Sequence, residues 1–172
     1  MAKSLHWIIA SLVLAQLALG WLSVAWRLSP AKLDLFVWHK SVGLLVLLLV
    51  CIRVLWRLTN PIPRPPADMP LWERRAAHAT HLALYAILIA MPISGWVINS
   101  TANIPFKVFW ALPLPSIAPP DKVLEAYTKL IHLGLFGLLA ALLIMHIAAA
   151  LRHHLVRKDD ILSRMLPRSP RT

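Results

Sequence analysis

Four apolar runs dominate the chain, each close to the roughly 20 residues that cross a bilayer as helix. They cover about Leu5–Trp26, Phe36–Trp56, His81–Ile98 and Leu130–Leu151. Pro30, the run NPIPRPPADMP and the run PLPSIAPP separate them as breakers. Pro92 lies inside the third run and is expected to kink it, which a membrane helix tolerates. Pro120 and Asp121 signal the start of the fourth helix, and helical residues continue to about Arg157. The ends of that helix should therefore stand out of the hydrocarbon. There is no internal repeat and no low-complexity tail. The expectation is a single domain over residues 1–172. Its fold class is all-α, an integral membrane four-helix bundle.

The first run, in MAKSLHWIIASLVLAQLALGWLSVAW, also invites a reading as a secretory signal. It is longer than the apolar region of a usual signal peptide and contains a histidine, so it is read as a retained span.

Composition agrees with the pattern: 59% of residues are hydrophobic and the mean hydropathy is +0.67. The net charge of +11 would suit nucleic acid in a soluble protein. Here the basic residues flank apolar spans instead of forming one surface, so the expected surroundings are membrane lipid and not nucleic acid. With the N-terminus cytoplasmic, twelve Lys and Arg fall on the inner side: Lys3, Arg53, Arg57, Arg64, Arg74, Arg75, Arg152, Arg157, Lys158, Arg164, Arg168 and Arg171. Six fall outside. Both termini are thus expected in the cytoplasm. The lone Cys51 allows no disulfide within the chain, and there is no C-x-x-C-H for covalent haem and no cysteine cluster for zinc or iron–sulfur.

Ionisable side chains within such runs are costly and mark candidate function. The stretch HLGLFGLLAALLIMH sets His132 and His146 fourteen residues apart. That is a rise of about 21 Å and a rotation that returns within about 40° of the same helix face. A single buried histidine is more often a hydrogen-bonded core residue. Here partners exist at both depths. His6 opens the first helix on the inner side, level with His146. His39 opens the second on the outer side, level with His132. Two imidazoles on facing helices can hold a haem iron from both axial sides. Zinc, copper or nickel would want more ligands than two per level. The pairs His6 with His146 and His39 with His132 therefore point to two haems b.

Glycines on the same faces give a flat macrocycle room, with small-residue helix packing as the alternative. Gly20 lies fourteen residues after His6, Gly43 follows His39 by one turn, and Gly134 and Gly137 flank the face of the fourth helix. Arg53, fourteen after His39, is placed to pair a propionate at the inner level, or to snorkel to the membrane surface.

These residues and their order resemble the bacterial cytochrome b561 family. The likeness is carried by SLHWIIA, WHKSVGLLVLLLVCIRVLWRL, AAHATHLALYAILIAMPISGW and MHIAAALRHHLVRKDDILSRMLPR, nearly the whole chain. The family is related to the cytochrome b subunits of formate dehydrogenases and nickel hydrogenases. The resemblance implies haem ligation by the positions of His6, His39, His132 and His146. It also implies a bacterial inner-membrane location and quinone-linked electron transfer. Short members of this type include superoxide oxidases, which pass electrons from periplasmic superoxide to ubiquinone.

Four further histidines, His78, His81, His153 and His154, gather with Arg74, Arg75 and Arg152 at the inner end. One reading is an interfacial band of positive charge. The other is a quinone pocket, with His81, His153 and His154 relaying the protons that quinone reduction consumes. His81 is favoured, because Tyr85 follows one turn later and Gly95 fourteen residues on. His81 is also the rival to His6 as a haem ligand. The outer loops carry six basic residues against Asp34, Asp121 and Glu125, a mild attraction for an anionic donor. The apolar, aromatic NIPFKVFWALPLP is expected at the outer membrane interface.

Three functions fit a membrane helix bundle. The first is an oxidoreductase carrying electrons from a small donor, superoxide foremost, to ubiquinone. The second is an electron-conducting subunit docked to a partner dehydrogenase or a periplasmic redox protein. The third is a transporter with structural histidines, disfavoured by the matched pairs. Short loops favour the first.

Overall fold

The computed structural model describes residues 2–60 and 69–166. Most of the proline-rich breaker, together with Arg64, Arg168 and Arg171, lies outside the described residues. Among the described residues there are four long helices: α1 (Ala2–Ala25), α2 (Pro30–Thr59), α3 (Leu71–Thr101) and α4 (Lys122–Arg152). All four are long and apolar enough to cross a membrane.

Helices α2, α3 and α4 overrun their apolar runs at both ends, and α1 does so at its start. Hydrocarbon thickness sets the run, whereas caps set the helix. Ser29 caps α2 by accepting from the Lys32 N–H, with Pro30 in the first turn where its missing donor costs nothing. Asp121 caps α4, accepting from Val123 and Leu124 at 2.8 and 3.0 Å. Helix α3 starts ten residues before the apolar run, with Glu73 in its first turn, and continues through Pro92. Helical structure does reach Arg157, but the five residues after α4, His153–Arg157, form a π-turn that ends at left-handed Lys158 (φ 53°). A short helix, α5 (Ile161–Met165), follows and returns to α1, where the Trp7 indole N–H donates to the Met165 carbonyl at 2.8 Å.

The helices pack in chain order, α1 on α2, α2 on α3 and α3 on α4. The shared core is a narrow line of Ile9, Val13, Val46, Val50, Leu84, Ile87 and Leu139. Spacings of three and four place these residues on one stripe of their helices. Large apolar side chains face outward elsewhere: Val24 is 74% and Ile144 70% exposed. In water such a surface would aggregate; in a bilayer it is the solvated one.

Between α3 and α4 the aromatic segment folds into a small antiparallel hairpin, β1 (Lys107–Val108) with β2 (Leu112–Pro113). Its tip, Phe109 and Trp110, has positive φ at both residues (47° and 60°). Glycine or asparagine normally takes these positions, and a bulky residue there costs roughly 1–2 kcal/mol. The hairpin is held to α2. The Phe109 N–H donates to the fully buried Ser41 hydroxyl at 2.8 Å, and both tip rings meet Trp38 edge-on at 5.8 and 5.5 Å.

Candidate functional site

Two levels of histidines line the interior. At one, His39 of α2 faces His132 of α4, with ring centres 6.4 Å apart and planes at 80°. Glycines on the other two helices complete this level. A Cβ at Gly20 would come within 3.0 Å of the His39 ring, and one at Gly95 within 3.6 Å of the His132 ring. A side chain at Gly20 would press on the His39 imidazole, whereas one at Gly95 would begin in ordinary contact with that of His132. His132 is oriented from behind by the Ser94 hydroxyl, 2.8 Å from Nδ1, while that hydroxyl donates to the Met91 carbonyl. Engaging Nδ1 leaves Nε2 to face a metal, the usual outer-shell arrangement for a ligating imidazole. The backbone of His39 is fixed by Gln16 of α1, whose amide donates to the His39 carbonyl at 2.8 Å. Nδ1 of His39 is buried and has no hydrogen-bond partner among the described residues.

At the second level three histidines meet. His146 lies 6.4 Å from His6, centre to centre, and 5.5 Å from His81. Trp7 packs edge-on against His6 at 5.4 Å. Arg53 sits beside them, but its guanidinium is engaged by the chain itself. Nε donates to the Tyr85 hydroxyl at 3.0 Å and Nη1 to the Ala2 carbonyl at 2.6 Å. The Arg57 guanidinium lies over the Tyr85 ring at 5.9 Å.

The spacing discriminates among these rings. Bonds of about 2 Å from a metal to each of two opposed imidazole nitrogens set the ring centres roughly 6 Å apart. The pairs His39–His132 and His6–His146 both fit that span. The pair His81–His146, at 5.5 Å, is shorter than that span. One pair of rings at that span on each level suits axial ligation of a haem iron, with His81 standing beside the His6–His146 pair as a third imidazole. Among the described residues no group of three or more metal-binding side chains forms a closed site.

Other expected residues divide. Gly43 does not open room for a macrocycle, because a Cβ there would meet Gln16 Nε2 at 2.9 Å; it lets α1 and α2 approach. Gly134 and Gly137 have no neighbouring atoms of the described residues within 4 Å of where a Cβ would stand, and both are exposed. The expected inner rim is not one assembly. His81 belongs to the three-histidine level, and His78 and His154 are exposed. His153 is buried in an ion network with Glu73 and Asp159. Sequence reasoning passed over Gln16 and Ser94, although an uncharged polar residue inside an apolar run was a readable signal. It also gave no role to Lys40, next to His39, whose ammonium donates to Asn99 Oδ1 at 2.7 Å and lies 5.3 Å from the centre of the Phe106 ring.

Fold and site together define a class: membrane four-helix bundles that present paired imidazoles inward at two depths. The chain belongs to the prokaryotic cytochrome b561 family, whose model matches residues 1–168. It is 34% identical to cytochrome b561 homolog 2 of Escherichia coli strain K12, over 98% of this chain and 90% of that one. It is 31% identical to a probable superoxide oxidase of Yersinia pestis, over 95% and 92% of the two chains. A second Escherichia coli protein, cytochrome b561 homolog 1, is 30% identical over 76% of this chain and 73% of its own length. The protein is accordingly a multi-pass b-type cytochrome of the bacterial inner membrane, built for electron transfer.

Proposed function

We propose that the protein carries electrons through two b-type haems from periplasmic superoxide to ubiquinone. The observation that supports this most directly is the repeated 6.4 Å spacing of His6–His146 and His39–His132, one pair at each depth. Haem held by each pair supplies a one-electron carrier at each side of the membrane. The chain's residues do the rest. Gly20 and Gly95 keep the His39 level open, and Ser94 fixes the tautomer and direction of His132. The fourteen-residue spacing holds the levels about 21 Å apart along the helices.

Two superoxide anions each lose one electron and leave as O2. One quinone gains both electrons and two protons to become quinol. Protons are needed only on the quinone side. The His6 level has the groups to handle them: His81 and the Tyr85 hydroxyl lie against His146 and Arg53. We place quinone there, with His81 as the proton relay. Its 5.5 Å approach to His146 argues against a ligand role in place of His6. His153 and His154 are outside that relay. The excess of Lys and Arg beside the His6 level supports a cytoplasmic location for it.

The test is haem stoichiometry followed by stopped-flow mixing of the oxidised protein with superoxide. Two haems per chain are expected, with His39→Ala and His132→Ala each losing one and keeping the other. Superoxide should reduce the wild type and ubiquinone reoxidise it, and His81→Phe should slow only reoxidation. Two haems retained in both alanine variants would overturn the pairing. Indifference to superoxide would leave the docked-subunit reading, with a redox protein as donor.

A further inference from the structure

Glu73 is a buried carboxylate at the start of α3, 7% exposed, and four positive or titratable groups of α4 and its continuation converge on it or its neighbours. Arg152 Nη1 meets Oε1 at 3.0 Å, Arg157 Nη1 binds Oε2, and His153 Nε2 lies 3.9 Å from Oε2. The other nitrogen of His153, Nδ1, lies 2.5 Å from Asp159 Oδ2. The carboxylate thus fastens the last turn of α4 and the segment after it to the first turn of α3.

The π-turn makes this convergence possible. In an α-helix, residues five apart point about 140° away from each other. Arg152 and Arg157 are five apart and grip the same carboxylate. The wider i→i+5 turn over His153–Arg157 brings them onto one side. The turn is closed by the His153 carbonyl, which accepts from the Asp159 N–H at 3.2 Å and from the Lys158 N–H at the left-handed cap.

Along each helix the fastening lies a short distance from the three-histidine level. Glu73 precedes His81 by eight residues on α3, and Arg152 follows His146 by six on α4, about 12 and 9 Å of rise. Sliding or rotating α4 on α3 would move His146 relative to both His81 and His6. We propose that Glu73 is a positioning residue for the His6–His146 centre: its clasp on Arg152, His153 and Arg157 sets the depth and rotation of α4, and so the angle of the His146 ring. This rests on the two-haem reading above. It assigns His153 to the clasp and not to proton relay.

The test uses the full-length, haem-loaded protein. Electron paramagnetic resonance of the oxidised state should show two low-spin signals, and His6→Ala identifies which belongs to the His6 level. In Glu73→Gln and in Arg157→Gln both haems should be retained. The His6-level signal should move in the same direction in both, and reduced protein should gain carbon monoxide binding there, while the His39-level signal stays fixed. The two substitutions change charge in opposite senses, so a field effect alone would shift the His6-level potential in opposite directions and leave the signal unmoved. That result, or wild-type spectra with no carbon monoxide binding in both variants, would overturn the clasp. If Glu73→Gln does not accumulate, Arg157→Gln, which keeps the Arg152 contact, decides by the same readout. A single signal in the wild type would instead overturn the two-haem reading.

Discussion

Asp159 illustrates how a side chain at the membrane surface acquires a structural role. Burial pushes its carboxyl up, but the hydrogen bond from His153, the Ile161 N–H and the positive side chains around it, Arg157 among them, outweigh that. The carboxyl is held below its ordinary range. A carboxylate with a depressed folded-state pKa adds stability above its unfolded value and loses it as pH falls through the folded one. The affected window is therefore below about pH 4. Wild-type protein in detergent should lose more melting temperature between pH 7 and pH 3 than Asp159→Asn, which should be less stable at pH 7 and flatter with pH. Equal acid sensitivity in thermal melts of the two would remove Asp159 from the account. Gly43 and Gln16 make a complementary pair in the apolar interior. The absent side chain at one position admits the amide at the other, and the amide steadies the backbone of His39.

The aromatic hairpin is the element whose local rule is most plainly broken. Phe109 and Trp110 occupy backbone conformations suited to glycine, and the strain is offset by fixed partners on α2. Ser41 is the polar one of these. Ser41→Ala should cost about 1 kcal/mol and should speed hydrogen exchange at the Phe109 amide while leaving α2 protected. Unchanged exchange there would mean that the Trp38 contacts alone hold the hairpin. This element also marks where the sequence stopped being readable. The four spans and the start of α4 at Asp121 followed from apolar length and capping, which are local. The hairpin did not, because its turn has none of the usual turn residues and its hold on α2 crosses 68 positions from Ser41 to Phe109. The π-turn was hidden for the same reason: what widens the helix is a carboxylate 79 residues before Arg152. At the site, periodicity placed the histidines at two depths, and Gly20 was assigned to the correct one. Sequence could not separate His6 from His81, since both lie at the same depth; the difference between them is one of ring spacing, 6.4 against 5.5 Å from His146.

At the scale of the whole molecule, the charge distribution argues for one orientation in the membrane. Arg53, Arg57, Arg74, Arg75, Arg152 and Arg157 cluster towards the His6 level, while Lys32, Lys40 and Lys107 lie towards the His39 level. A green fluorescent protein fused after Thr172 should fluoresce and an alkaline phosphatase fused there should be inactive, as a cytoplasmic C-terminus requires. Active phosphatase would reverse the assignment of donor and acceptor sides. The fourteen-residue interval has a further consequence. It recurs in every spanning helix: His6 to Gly20, His39 to Arg53, His81 to Gly95 and His132 to His146. One residue inserted between the levels of any helix would turn everything beyond it by about 100° and detach one centre from the other. Length variation among relatives should therefore be confined to the connections, and the interval behaves as a ruler. Adding seven residues to all four helices, close to two turns, would preserve the facing sides and lengthen the electron path by about 10 Å. On the two-haem reading, the distance the electron must cross is thereby tied to the width of the bilayer that the protein serves.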